Sequence, residues 1–135
     1  EELFHFIEDA FVHLDESSET VTANFPLFFA LQLTHFFGIP PNPLNENLVS
    51  TENLYFDLKE GSFTNEQPLH PLFAESKAAL MTAELLKVMQ PEELENIKLN
   101  HDFRRNLLHS YETYYALHIP DFGTMKTLPV LKEIF

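Results

Sequence analysis

The chain has 135 residues with 8 Lys and Arg against 21 Asp and Glu, a formal net charge of −13 with His neutral. That length suits one domain, and 44% hydrophobic with 21% charged residues excludes wholesale disorder. Zero cysteines exclude disulfides and thiolate zinc sites, and a pI near 4.7 argues against non-specific nucleic-acid binding by this piece alone.

The charge is uneven. Residues 1–58 contain no Lys or Arg and sum to −10, whereas residues 59–135 hold all eight basic side chains and sum to −3. From Lys98 onward five basic residues face four acids, a local +1. The acidic half reads as solubilising surface; any anionic partner must dock on the C-terminal third. No apolar run approaches the roughly 20 residues of a membrane span. The chain opens Glu1-Glu2-Leu3-Phe4 without Met or a signal-like stretch, which reads as a fragment or trimmed product.

In chain order, Leu3, Ile7, Ala10 and Leu14 lie along one face of a first helix, with Phe4 and Phe11 beside them. Asn24-Phe25-Pro26 resembles a helix start, with Asn as cap and Pro in the first turn, although a start one turn earlier at Ser18 or Thr20 fits as well. Leu27 to Phe37 leaves almost no polar face, so this helix is expected to be central. Gly38 is the expected terminator, reinforced by Pro40-Pro41. After a Pro- and Asn-rich loop, Leu54 to Leu58 and Ser62 to Thr64 form two short β-type runs. They are joined by Lys59-Glu60-Gly61, a hairpin with Gly in the left-handed position. Pro68 and Pro71 close the insert. Helices then follow over Ser76 to Met89, after Gln90-Pro91, after the cap Asn100, and over Thr127 to Phe135. In the third of these Phe103, Leu107, Tyr111 and Tyr114 are expected to face inward. The fold class is mainly α, a helical bundle with a small β-hairpin insert at 42–71.

Catalytic signatures are missing from the sequence. None of the seven His forms a His-x-x-x-His pair, and His101 and His109 lie roughly 12 Å apart along a helix, too far to share an ion. Glu92, Glu93 and Glu95 suit a helix N-terminus electrostatically and need no catalytic explanation. Three glycines build no phosphate loop, and no Gly-x-Ser-x-Gly elbow occurs. The expectation is no enzyme, no metal and no cofactor; a metal-dependent or carboxylate hydrolase would require bound metal or a polar cleft of clustered acids. One surface feature stands out. His101, Arg105 and His109 lie at i, i+4 and i+8, opposite the inward face, flanked by Lys98 and Arg104. Such a stripe is either a solvated helix face or a cationic rim that pairs carboxylates of a partner peptide beside an apolar pocket.

Several ordered segments resemble the C-terminal part of the RecO family of bacterial DNA repair proteins, in its Bacteroidetes form. They are Ala23-Asn24-Phe25 through Leu31-x-Leu33 to Phe37-Gly38-Ile39-x-x-Asn42, then Tyr55-Phe56-Asp57-Leu58-x-Glu60-Gly61-x-Phe63 and Pro68-Leu69-His70-Pro71. The last are Leu117-His118-Ile119-Pro120-x-Phe122-Gly123 and Lys126-Thr127-Leu128-x-Val130-Leu131. The resemblance implies a helical domain, here residues 1–135, lacking the family's N-terminal OB-fold domain. It also implies a cytoplasmic, nucleoid-associated, non-enzymatic mediator that binds DNA, anneals strands and works with RecR to load RecA onto strands coated by the single-stranded-DNA-binding protein SSB. Many members carry a four-Cys zinc finger where this chain has its insert. Without Cys, zinc binding does not carry over, and an apolar hairpin core of Tyr55, Phe56, Leu58, Gly61 and Phe63 is expected instead. The resemblance further implies docking of the acidic, apolar-ended SSB tail, for which Lys98, His101, Arg104, Arg105 and Lys126 are the candidate residues. With −10 in residues 1–58 and Gln32 and His35 where relatives place cations, DNA is expected to bind mainly through the OB domain. An acidic helical adaptor unrelated to DNA repair is the competing reading.

Overall fold

Among the described residues the first helix, α1 (Glu19–Phe36), carries side chains that are apolar nearly all round, and most of them are buried. A computed structural model of the chain describes residues 19–44 and 53–120. The helices expected over residues 1–14 and 127–135, together with Lys126, lie outside the described residues.

Of the two starts that the sequence allowed for α1, the earlier fits. The helix already runs at Glu19, so Asn24 is no cap and Pro26 sits in the helix interior. A proline there removes one i→i−4 bond, the one to the carbonyl of Thr22, which is an exposed residue. Asn24 instead is fully buried, and its Nδ2 donates to the carbonyls of Leu94 (3.1 Å) and Ile97 (2.6 Å). Phe25 stacks on Phe29 at 5.6 Å between ring centroids. The helix ends as expected. Gly38 takes φ +73°, its N–H reaches the His35 carbonyl, and Ile39 N–H reaches that of Thr34 at 2.9 Å. This pair of bonds is a Schellman termination.

The hairpin expected within 42–71 is present as β1 (Tyr55–Asp57) and β2 (Ser62–Thr64), and a strand just beyond that bound, β3 (Phe73–Glu75), extends it to a three-stranded antiparallel sheet of order β2-β1-β3. Phe56 stands opposite both Phe63 and Ala74. The connection between β1 and β2 has four residues, Leu58 to Gly61, rather than the expected three, because Leu58 turns inward and is buried. Gly61 closes the turn at φ +69°, its N–H donating to the Asp57 carbonyl at 2.7 Å. A Cβ at Gly61 would sit 3.2 Å from the Tyr114 hydroxyl oxygen, so backbone and space both require glycine. Strand β3 had no expectation behind it: three residues after Pro71 are too short for alternation to register.

Helix α2 (Lys77–Lys87) starts after Ser76, which holds φ 54° without capping by its side chain, and ends short of Met89. Beyond Lys87 the backbone at Val88 and Gln90 is extended, as the residue before a proline prefers, leading into a 3-10 turn, Pro91–Asn96. Glu93 accepts from the N–H groups of Met89 and Gln90, the structural role expected of this acid cluster. Helix α3 (His101–His118) is capped by Asn100, whose Oδ1 accepts from Phe103 N–H at 2.7 Å.

Three tyrosines on the buried side of α3 tie the bundle together. The Tyr111 hydroxyl donates to Thr82 on α2 (2.8 Å), Tyr114 donates to the Ile39 carbonyl, and Tyr115 donates to the Ala30 carbonyl on α1 (2.6 Å). His118 Nε2 adds a bond to the Leu58 carbonyl at 2.8 Å. Burial raises the Tyr111 and Tyr115 phenols well above their ordinary value and pushes Tyr114 up to about 12. A phenol whose folded pKa is raised contributes stability that is complete below the unfolded pKa near 10 and is lost as pH rises through the folded one. Alkaline titration is therefore expected to leave the fold intact to about pH 10 and to unfold it cooperatively above. Tyrosinate absorbance should rise together with loss of helical circular dichroism; three phenols titrating near pH 10 in a folded chain would contradict this packing.

Candidate functional site

Between α1 and the first half of α3 runs a groove made of two adjoining depressions. One, of about 400 Å³, is lined by Ala23, Pro26, Leu27, His101, Arg104, Arg105 and Leu108. The other, of about 310 Å³, is lined by Glu19, Thr20, Ala23, Lys98, Leu99 and Arg104. Ala23 and Arg104 belong to both.

Local sequence explains this convergence. His101, Arg104, Arg105 and Leu108 are spaced i, i+3, i+4 and i+7, which puts them on one face of α3. Asn100 starts the helix at the turn that brings this face against α1. Ala23 is small, and Pro26 and Leu27 supply an apolar floor. Lys98 enters from the segment before the cap. Four of the five candidate residues thus meet at one groove, and the fifth, Lys126, lies outside the described residues.

These side chains are held differently. Arg104 is half-buried, and its Nη1 donates to the Leu99 carbonyl, which fixes the guanidinium at the divide between the depressions. Lys98, His101 and Arg105 are exposed and make no ion pair among the described residues. Glu19 is the single acid in the lining. His109, which completed the stripe in sequence, points past the groove toward Glu112, 3.7 Å away. The groove can therefore hold an anionic ligand with an apolar portion, through the exposed Arg105 guanidinium and the half-buried Arg104 guanidinium beside the apolar floor. Sequence reasoning missed the α1 side. Leu27 read as core, which it also is, and nothing local marks Ala23 and Pro26 as lining.

The hairpin residues form a second cluster. Phe56 and Leu58 are buried, Phe63 packs on Phe56 at 4.7 Å, and Phe56 stacks on Tyr114 at 6.1 Å beside Gly61. Tyr55 is not among them: adjacent strand residues face opposite sides, and Tyr55 lies half-buried on the outer face, edge-on to Phe73 at 5.5 Å. On that outer face Asp57 Oδ1 accepts from Lys59 N–H, Glu60 N–H and His70 Nε2 at 2.9 to 3.0 Å. His70 Nδ1 accepts from Leu72 N–H, so Nε2 carries the proton. Both ring nitrogens and this carboxylate oxygen are committed within the chain, so the donor set does not fit a zinc ion. Among the described residues no three potential metal ligands converge.

No protein-family model matches the chain, and no solved structure matches it. Curated relatives do. The chain is 30% identical to the DNA repair protein RecO of Azobacteroides pseudotrichonymphae and 32% identical to that of Phocaeicola vulgatus, in each case over 98% of this chain and 53% of the relative. It is 34% identical to the RecO of Christiangramia forsetii over 100% of this chain and 53% of the relative. The chain spans about half the length of the curated relatives it matches. Along essentially all of its own length, the chain is RecO-like.

Proposed function

We propose that this chain is the protein-docking part of a non-enzymatic DNA repair mediator. In that reading its α1–α3 groove receives the acidic, apolar-ended tail of SSB, and the whole protein works with RecR to load RecA and anneal strands, in the cytoplasm at the nucleoid. The observation that carries it is the pairing of Arg104 and Arg105 with the apolar floor of Pro26, Leu27 and Leu108. A carboxylate-rich segment gains charge-assisted bonds there while an apolar side chain leaves water. Similarity to proteins named DNA repair protein RecO supports the pathway. The net charge of −13 speaks against strong DNA binding by this chain, and in this reading DNA contact lies mainly in other parts of the whole protein.

Calorimetric titration of the chain with a short acidic peptide ending in Phe tests this. Binding is expected to weaken with salt, since the cations are surface-exposed. Arg105→Ala should weaken it about tenfold, the scale of one charge-assisted bond, and Arg104→Glu with Arg105→Glu should abolish it. Because Arg105 is exposed and bonded to nothing else among the described residues, its replacement leaves the fold intact. Unchanged affinity in both variants would refute the assignment.

A further inference from the structure

The loop after β2 is built to hold an apolar side chain in water. Leu69 is fully exposed, at 106% relative accessibility, between Pro68 and Pro71. The loop beneath it is well fastened: His70 bonds Asp57 and Leu72 N–H, Leu58 N–H bonds the Leu72 carbonyl at 3.0 Å, and Asn65 Nδ2 bonds the Asn53 carbonyl at 3.0 Å. A lone exposed leucine needs no explanation, but one fixed on a braced, proline-flanked loop loses little entropy on docking. Exposed Glu66 lies on the same loop three residues before Leu69, and exposed Glu60 is on the turn whose N–H shares the Asp57 carboxylate with His70. The loop thus presents an apolar tip with an exposed carboxylate three residues before it.

The groove is its complement, an apolar floor with a cationic rim. The two cannot meet within one chain. The sheet packs on Tyr114, about 15 Å along α3 from Arg104, and both elements are fixed in the fold. We infer that the Leu69 loop of one copy docks in the α1–α3 groove of a second copy, a head-to-tail contact in which Leu69 meets Pro26, Leu27 and Leu108 while Glu66 pairs with Arg105. This rests on the reading that the groove takes an acidic segment with an apolar residue, and it makes self-docking a competitor of that ligand. The contact is small and two chains of −13 repel, so association is weak, in the range of about 0.1–1 mM.

Sedimentation equilibrium of the 135-residue chain up to about 1 mM tests it. Expected is a mass rising with concentration above the 15.7 kDa of one chain, reduced at least tenfold in association constant by Leu69→Asp or by Arg105→Glu. Leu69→Asp sits in solvent and should leave the fold unchanged, as circular dichroism can verify. Because a head-to-tail contact uses two different faces, mixing the two variants should restore one-to-one dimers and nothing longer. A chain that stays monomeric, or Leu69→Asp associating like the wild type, overturns the inference. Peptide binding measured alongside separates the two readings: a monomer that binds the peptide sinks self-docking alone, whereas self-association through these faces without peptide binding sinks the tail assignment alone.

Discussion

Phe56→Ala is expected to lower stability by about 3–5 kcal/mol, the scale for truncating a buried Phe in a core that cannot collapse around the gap. Phe56 is 1% exposed, stands opposite Phe63 and Ala74 in the sheet, and stacks on Tyr114. A three-stranded sheet with three residues per strand has little stability of its own, so the hairpin persists because it packs on helices, on α2 and, through Phe56, on Tyr114 of α3. The loss should register as a lower urea midpoint at unchanged slope, or, if the sheet alone detaches, as lost chemical-shift dispersion around residues 54–75 with α1 and α3 intact. In the same experiment a chelator should leave the wild-type melting curve where it is, since hydrophobic burial does the work that coordination does in a zinc finger. A chelator-sensitive transition, or a Phe56→Ala variant as stable as the wild type, would contradict this.

Asn24→Asp is expected to cost more than about 3 kcal/mol, because two lost hydrogen bonds are compounded by a buried charge. Both Asn24 amide protons point at carbonyls, those of Leu94 and Ile97, and its Oδ1 has no partner among the described residues. An aspartate there offers only acceptors to acceptors. Its folded pKa must rise above the ordinary value near 3.9, so the deficit is smallest below that pH and grows as pH rises through the folded value. Denaturant melts at pH 4 and pH 7 check the sign: a deficit larger in acid would mean that the α1 contact to Pro91–Asn96 is held by something other than this amide.

What the sequence disclosed follows from how local each signal is. Gly38, Gly61 and Asn100 were legible because a positive φ or a cap depends on a residue and its immediate neighbours. Asn24 misled for the same reason: its chemistry is that of a cap, and only the arrival of residues 94–97 from across the chain makes it a buried clamp instead. Tyr55 shows the limit of composition. It belongs to an aromatic run, yet the two-residue period of a strand sends it to the face opposite Phe56. Half of the groove was readable, since the spacing of His101, Arg104, Arg105 and Leu108 is a property of one helix. The other half, Ala23 and Pro26, exists only where α1 crosses it. The Asp57–His70 pair was likewise invisible, although both residues sat in segments that carried the family resemblance.

The central claim is that the α1–α3 groove is where the chain meets a partner, and amide chemical-shift mapping during titration with the acidic, Phe-ended peptide tests it most directly. The largest shifts are expected at Ala23, Leu27 and residues 98–108, saturating with one site and suppressed in Arg105→Glu. Shifts that cluster on the sheet of residues 55–75, or that persist unchanged in Arg105→Glu, would contradict it.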